Sequence, residues 1–285
     1  DMIGQVLSHA ATTHAPSGSQ NNELGLPLTL LSAPRDVKYI VAEMGMRGLG
    51  HITHLCELAQ PTIGVITNVG RAHIGEVGSI EGIAKAKSEL VKAIQPSGVV
   101  VLNADDERVI AMRDLTKATV FTYGFSGTAD VRAENLQLTS YGSYTFDLVY
   151  RGERIPASIP MLGEHNVLNA LAAAAVGIAV GMEVTDIARA LTTLKLMSKW
   201  RMEVHQIPGN LTVINDAYNA NPESMTAALE TLAAIPAPGK KFAILGKMHE
   251  LGDDSDAILE FHRPRLRRPN RPRRSAGRGA ADRQS

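Results

Sequence analysis

The sequence predicts an α/β protein in which a mostly parallel sheet is covered by helices on both faces. Runs of apolar and β-branched residues alternate with longer segments that have the apolar spacing of a helix. The strand-like runs occupy 37–42, 62–67, 98–102 and about 118–123, and the helix-like segments occupy about 51–59, 79–94 and 105–113. Because strands that alternate with helices form β-α-β units, we expect these strands to lie parallel in one sheet.

The rest of the chain predicts a hairpin, two further helices and a new start of the β-α-β pattern. The hairpin pairs 144–150 with 154–159, the helices lie at 166–180 and 185–194, and the later pattern has strands at 202–207, 211–215 and 241–245 around a helix at 222–234. Near the start, the predictions are the end of a helix at 1–10, a polar loop at 12–22 and a helix from 27. We therefore divide the chain into residues 1–197, 198–261 and 262–285.

Composition limits the classes of protein to which the chain can belong. An apolar content of 44% over 285 residues supports one large or two ordinary domains with buried cores. The single cysteine, Cys56, excludes a disulfide framework. No apolar run reaches the length that spans a bilayer, and no signal peptide is visible at Asp1. We expect a cytoplasmic protein without a membrane partner.

The last 24 residues differ sharply in charge from the rest of the chain. Residues 262–285 contain nine arginines and one acid, which leaves 20 basic and 28 acidic residues for the remainder. This Arg/Pro-rich segment has no apolar periodicity and is expected to be disordered. One reading is an arm that binds nucleic acid. We favour another reading, in which this segment results from a shifted reading frame in GC-rich DNA. A one-base change in the gene should then restore a longer frame that continues the pattern of the preceding residues. We expect no nucleic-acid partner.

Two polar side chains follow predicted strands directly. Glu43 comes after the run that ends at Ala42, and Asn68 comes after the run that ends at Thr67. In open parallel sheets, ligands bind at the carboxyl ends of the strands. A solvated surface carboxylate is the simpler explanation for Glu43 alone.

Lys87 interrupts the apolar stripe of the helix predicted at 79–94. Ile80, Ile83, Leu90 and Ile94 lie on the same stripe. Burial of an ammonium is costly and favours the neutral, reactive amine, although the side chain could instead extend to water. His73 precedes Lys87 by 14 residues, and a lone histidine is usually a hydrogen-bonding group. Together with Glu43, these residues suggest a site for a divalent metal and phosphate.

The order and spacing of these residues resemble the Mur ligases, ATP-dependent enzymes that add amino acids to the peptidoglycan precursor. The resemblance covers about residues 1–256. It is carried by Asn21 to Pro27, Glu43-Met44-Gly45, Thr67 to His73, Lys87, Leu102 to Asp106, Gly163 to Asn169, Arg201-Met202-Glu203 and Asp216 to Pro222. Asn219-Ala220-Asn221-Pro222 with Ser224-Met225 resembles the member that adds D-alanyl-D-alanine to UDP-N-acetylmuramoyl-tripeptide.

The resemblance implies a fold, a set of ligands and a role for each candidate residue. Residues 1–197 would form the central ATP-binding domain, and 198–261 a truncated Rossmann-like C-terminal domain. Glu43 would hold one Mg²⁺ near the β- and γ-phosphates, His73 would ligate a second, and a carbamylated Lys87 would be a further metal ligand. His73 and Lys87 would also be catalytic. ATP would be bound by Asn68, Asn166, Asn169, Arg201 and Asp216, and the substrates by Asn21, Asn22, Glu23, Asn219 and Asn221.

Simpler explanations exist for several of these residues. Asn166 could cap a helix, Arg201 could form a surface ion pair, and Asn219 and Asn221 could form a turn. Asp105 and Asp106 resemble helix-start acids as much as nucleotide contacts, so we do not assign them to the site.

The sequence also departs from the family pattern. It contains no P-loop ending in Gly-Lys-Thr or Gly-Lys-Ser, and Lys247 stands where the family usually has an acid. We therefore expect this chain by itself to be an inactive or impaired fragment, and a monomer. The alternatives are the tripeptide-forming ligase, a folylpolyglutamate synthase-like ligase and, in another class, a non-catalytic protein that binds nucleic acid through its basic tail.

Overall fold

The computed structural model describes residues 1–16, 18–70, 77–246 and 248. The helices of this part are α1 (Met2–Ser8), α2 (Gly25–Ser32), α3 (His51–Ala59), α4 (Ile80–Ala93), α5 (Glu107–Ile110), α6 (Glu164–Ala179), α7 (Val184–Thr192) and α8 (Pro222–Ala234). The strands are β1 (Thr13–His14), β2 (Tyr39–Ile40), β3 (Ile63–Ile66), β4 (Val99–Asn103), β5 (Thr119–Gly124), β6 (Val131–Leu138), β7 (Tyr144–Tyr150), β8 (Glu153–Ile159), β9 (Glu203–Ile207) and β10 (Leu211–Asn215). None of the helices in the described part is long and apolar enough to cross a membrane.

The central sheet has six strands in the order β3-β4-β5-β6-β7-β8. The pairs from β3 to β6 are parallel, and β6-β7-β8 is an antiparallel meander. The α/β class with a mostly parallel central sheet is therefore confirmed, and so is the hairpin formed by β7 and β8. Strand β6 was not predicted, because an irregularity between Glu134 and Gln137 interrupts its alternation of apolar and polar residues.

Helices cover both faces of the central sheet. Along β4, Val100 and Leu102 pack into a cluster with Ile83 and Val91 of α4, whereas Val101 packs with the residues of α6. Successive strand residues point to opposite faces, so β4 is buried on both sides. This burial explains its uninterrupted Val-Val-Val-Leu sequence.

Helix α6 lies deepest in the molecule because its side chains are small. Residues 170–175 are all at most 2% exposed, and five of these six residues are alanines. Alanine lets the helix approach the sheet closely, and Val101, Tyr123 and Leu148 pack into the same core. The predicted Ala-rich helix is confirmed.

Three predicted elements near the first half of the sheet are corrected. The strand expected at 37–42 is only Tyr39–Ile40, and it pairs in parallel with β1 in a separate two-stranded sheet. Its length is limited by its partner, because β1 has two residues and lies in the segment predicted as a polar loop. The helix expected at 105–113 is the short α5 followed by a 3₁₀ turn at Ala111–Leu115.

The region after residue 200 also differs from the predicted β-α-β pattern. Strands β9 and β10 form an antiparallel hairpin, and α8 follows as predicted. The strand expected at 241–245 does not form, and Ile244 is fully exposed. A strand needs a neighbour for its backbone N–H and C=O groups, and the described part of the chain provides none at this place.

Candidate active site

Lys87 is bonded to the end of strand β3. Its Nζ donates a hydrogen bond of 2.6 Å to the backbone carbonyl of Asn68. Burial lowers the pKa of the Lys87 amine, and the negative charge of Asp106 offsets this shift only in part. A lysine with a lowered pKa is more often neutral, and the neutral amine is the nucleophilic form.

The chain segment that follows β3 is fixed by two more side chains, those of Asn103 and Asp106. Asn103 Nδ2 donates to the carbonyl of Thr67 at 2.8 Å, and Asp106 Oδ2 accepts from the amide of Val69 at 2.8 Å. Asp106 Oδ1 also caps α5 through Arg108 and Val109. The reading of Asp106 as a helix-start acid is confirmed. Asn103 was not among the predicted site residues, although its position at the carboxyl end of β4 could have indicated it.

Glu43 lies in an exposed segment after β2 and contacts Asn21. Asn21 Nδ2 donates to Glu43 Oε1 at 2.8 Å, and the Asn21 carbonyl accepts from the amide of Gly45 at 2.7 Å. A Cβ on Gly45 would lie only 3.0 Å from Asn21 Cγ, so glycine permits this close approach. The structure thus brings Asn21 and Glu43 together.

The two neighbours of Asn21 differ in their contacts. Asn22 Oδ1 accepts from the amides of Leu24 and Gly25, which shapes the start of α2. Glu23 is exposed, and the structure records neither a hydrogen bond nor an ion pair for it within the described residues. Its predicted role in substrate binding stays a prediction.

Of the predicted metal ligands, Glu43 fits Mg²⁺ through the chemistry of its oxygen donors. His73 lies outside the described residues, and no group of three or more His, Cys, Asp or Glu residues in the described part is arranged to hold a metal. Mg²⁺ in phosphate-transfer sites needs only one or two carboxylates, because water and phosphate oxygens complete its coordination. Glu43 is an exposed carboxylate with one oxygen held by Asn21, so it fits such an ion.

Two of the residues predicted to bind ATP, Asn166 and Asn169, are bonded to each other on the first two turns of α6. Asn166 Nδ2 donates to the carbonyl of Leu162 at 2.7 Å, and Asn169 Nδ2 donates to Asn166 Oδ1 at 3.2 Å. The residue at the helix cap is Gly163 with a φ of 88°, so the alternative that Asn166 caps this helix is wrong. Asn169 is exposed and could reach a ligand.

Asp216 and His165 interact between the C-terminal region and α6. Burial raises the pKa of Asp216, whereas the amide of Met202 and the charges of His165 and Arg201 act in the opposite direction. Burial lowers the pKa of His165, and the charge of Asp216 opposes that shift. His165 was missed as a partner of Asp216, because contacts between distant segments leave no local pattern.

Arg201 and the Asn219–Asn221 segment belong to the same region. The Arg201 guanidinium lies 4.3 Å from the centre of the Tyr218 ring, and no surface ion pair is recorded for it in the described part. Asn221 Oδ1 accepts from the amide of Ser224 in a capping box at the start of α8, and Asn219 Oδ1 accepts from the next amide. Asn221 is therefore a helix N-cap, and no turn is assigned to residues 219–221.

The start of α8 lies beside the end of β3. A Cβ on Gly70 would lie 3.7 Å from Asn68 Oδ1 and equally 3.7 Å from Glu223 Cδ. The loop of Asn68 and the residues next to Asn221 therefore face one space. Within the described residues, no hydrogen bond joins Glu43 to Lys87.

Family models match both halves of the chain. The Mur ligase middle domain matches residues 1–177, and the Mur ligase glutamate ligase domain matches residues 200–266. The chain belongs to the Mur ligase family.

Individual members of the Mur ligase family align along nearly the whole chain. The UDP-N-acetylmuramoyl-tripeptide–D-alanyl-D-alanine ligase of Mycobacterium tuberculosis is 45% identical over 267 residues, which cover 92% of this chain and 52% of that protein. A crystal structure of MurF from Acinetobacter baumannii has a TM-score of 0.84 and 35% identity, over 90% of this chain and 55% of that one.

A second solved structure carries a nucleotide. MurF ligase from Thermotoga maritima in complex with ADP has a TM-score of 0.83 and 27% identity, and covers 93% of this chain and 60% of that one. The chain therefore spans about half the length of the Mur ligases it matches.

Proposed function

We propose that this chain belongs to an ATP-dependent ligase that joins D-alanyl-D-alanine to UDP-N-acetylmuramoyl-tripeptide in peptidoglycan precursor synthesis. The observation that carries the proposal is the half-buried amine of Lys87, which donates to the carbonyl of Asn68 at the carboxyl end of β3. Support also comes from the 45% identity to a ligase of that name.

The proposed reaction has two steps, phosphoryl transfer and amide formation. A carboxylate oxygen of the tripeptide attacks the γ-phosphorus of ATP, so that a new P–O bond forms and ADP leaves. The amine of D-alanyl-D-alanine then attacks the acyl carbon and loses a proton. The C–O bond to the phosphate breaks, and inorganic phosphate leaves with one oxygen of the original carboxylate. Both steps concentrate negative charge near the phosphates, so electrostatic stabilisation is the main requirement.

Lys87 and Glu43 would meet that requirement from two sides. The neutral amine of Lys87 can add to carbon dioxide and release a proton, which replaces a cation by an anionic carbamate. Glu43, His73 and this carbamate would hold Mg²⁺, which would supply positive charge at the phosphates when bound. A hard cation prefers such oxygen ligands. The contact of Asn21 with Glu43 would keep the carboxylate in one orientation.

The remaining candidates would bind the nucleotide and the two other substrates. Asn68, Asn166, Asn169, Arg201 and Asp216 are proposed for ATP, and Asn21, Asn22, Glu23, Asn219 and Asn221 for the muropeptide and D-alanyl-D-alanine. We keep 197/198 as the boundary between the central and C-terminal domains and 262–285 as a separate tail. The nucleotide-linked substrate supports a cytoplasmic location, and we propose a monomer.

A hybrid enzyme tests the proposed function. Residues 1–246 would replace the aligned segment of the Acinetobacter baumannii ligase, whose solved structure guides the junctions. We expect the hybrid to release ADP and form product only when tripeptide and D-alanyl-D-alanine are both present. A hybrid that melts cooperatively but prefers L-lysine, diaminopimelate or glutamate as the amine would contradict the proposal and favour the alternative ligases.

Variants of the hybrid separate Lys87 from the rest of α4. Lys87→Arg keeps a positive charge but cannot form a carbamate, so we expect activity to fall by orders of magnitude. Lys85→Arg makes the same change at an exposed position of the same helix and serves as the matched control. Partial rescue of Lys87→Ala by a small carboxylic acid would support the carbamate.

A further inference from the structure

Tyr218 connects the C-terminal region to the loop that precedes α2. Its hydroxyl lies 2.7 Å from Ser19 Oγ, across 199 positions of sequence. Its backbone amide donates to the carbonyl of Trp200 at 3.1 Å. The side chain is 45% exposed, so the core of the protein does not require it.

The ring of Tyr218 also contacts Arg201. The guanidinium carbon lies 4.3 Å from the ring centre, which is within the range of a cation–π contact. The face of the ring attracts the guanidinium electrostatically, which favours positions of Arg201 above the ring. The ring therefore holds Arg201 in one orientation without using any of its five N–H donors.

The loop on the other side of Tyr218 leads to Glu43. Ser19 is two residues from Asn21, whose amide donates to Glu43 Oε1 at 2.8 Å. Contacts thus join Arg201, Tyr218 and Ser19, and the Asn21–Glu43 pair begins two residues further along the same loop. These residues come from two parts of the chain that are distant in sequence.

We propose that Tyr218 is a positioning residue that sets the Arg201 guanidinium relative to Glu43 through its ring and its hydroxyl group. The relevance of this pair to phosphate and metal rests on the proposed function. The contacts of Tyr218 with Ser19 and Arg201 do not depend on the proposed function, and they can be tested separately. A tyrosine suits this role because phenylalanine could orient Arg201 but could not bond Ser19.

The first experiment uses the full 285-residue chain and its single tryptophan, Trp200. The variants are Tyr218→Phe, Ser19→Ala and the two combined. We expect the same increase in acrylamide quenching of Trp200 in all three, because each removes the same hydrogen bond. Tyr141→Phe removes the hydroxyl of a tyrosine that is 87% exposed, and it should match the wild type. Quenching that stays at the wild-type value in Tyr218→Phe and Ser19→Ala would overturn the hydroxyl contact.

The NMR signal of the Arg201 Nε–H group tests the ring. We expect a ring-current shift that persists in Tyr218→Phe and is lost in Tyr218→Ala. An unchanged Arg201 signal in Tyr218→Ala would overturn the role of the ring.

Kinetics of the hybrid enzyme connect the contact with the reaction. Tyr218→Phe and Ser19→Ala should lower kcat/KM for ATP by about fivefold each, because Arg201 would be held less well in the transition state. Tyr141→Phe should leave kcat/KM unchanged. An unchanged kcat/KM in both variants of an active hybrid would overturn the positioning role. If the unmodified hybrid is inactive while Trp200 and Arg201 respond as expected, the proposed function fails and the Tyr218 contacts stand.

Discussion

The Nζ atom of Lys87 donates to the carbonyl oxygen of Asn68 over 2.6 Å, in a setting that lowers the pKa of the amine. Lys87 lies on the apolar stripe of α4, between the buried Ile83 and the core-packed Leu90. The helix therefore directs the amine to the end of β3 instead of into solvent. This relationship joins a feature of the sequence to a chemical property that a surface lysine lacks.

Lys87 should form a carbamate in bicarbonate buffer. With ¹³C-labelled bicarbonate, we expect a carbamate resonance in the wild-type NMR spectrum, because burial raises the fraction of neutral amine. The resonance should disappear in Lys87→Arg and persist in Lys85→Arg. A signal that survives in Lys87→Arg would show that another amine carries it.

Stability should decrease on acidification through the ordinary pKa of histidine. Burial lowers the pKa of His165 from 6.5, so the folded chain takes up the proton at lower pH than the unfolded chain. Between these two values the unfolded state binds more protons, and the free energy of unfolding falls as the pH falls. The contribution of neutral His165 to the free energy of unfolding is fully present above pH 6.5. The pKa of Asp216 is raised from 3.8, so its protonation increases the free energy of unfolding as the pH falls.

Urea titrations between pH 8 and pH 5.5 measure this effect. We expect the midpoint of the wild type to fall with pH and that of His165→Gln to depend less on pH. His54→Gln, at an exposed histidine of α3, is the control and should keep the wild-type slope. An identical slope in His165→Gln would rule out His165 as the source.

Asn221→Ala should destabilise the C-terminal region by about 1 kcal/mol, the usual value of a helix N-cap. Asn221 and Ser224 form a reciprocal capping box at the start of α8. Trp200 fluorescence in urea would follow the transition. Asn219→Ala, which affects only a bond to the adjacent amide, should cost clearly less, and equal losses in both variants would contradict the assignment.

Ala174→Leu should destabilise the central domain by about 1–3 kcal/mol, because a well-packed core does not accept three extra carbons without strain. Ala174 is fully buried where α6 packs on the sheet. Ala233→Leu places the same side chain on an exposed position of α8 and should have little effect. Thermal unfolding followed by circular dichroism compares the two, and equal Tm values would contradict the close packing of α6.

The features that could be predicted from the sequence are those with a local pattern. Helix α4 follows from its apolar stripe and from Ser79, whose hydroxyl accepts from the amide of Gly82. The lowered pKa of Lys87 follows from the same stripe. Strand β4 follows from its continuous β-branched residues, which burial on both faces requires.

The features that could not be predicted depend on contacts between distant segments. Asn103 and Asp106 hold the residues after β3 only because β3 and β4 are neighbours in the sheet. The pairing of β2 with β1, and the contact of Tyr218 with Ser19, likewise have no signal within a short window of sequence. The strand expected at 241–245 failed for the same reason, since a strand depends on its partner.

The transfer of oxygen from the tripeptide to phosphate tests the proposed function most directly. The tripeptide would be labelled with ¹⁸O in its terminal carboxylate, and the hybrid carrying residues 1–246 would be supplied with ATP and D-alanyl-D-alanine. The acyl phosphate route predicts one ¹⁸O atom in each phosphate released, in amounts equal to the ADP formed. Phosphate without ¹⁸O, formed alongside the amide product, would contradict it.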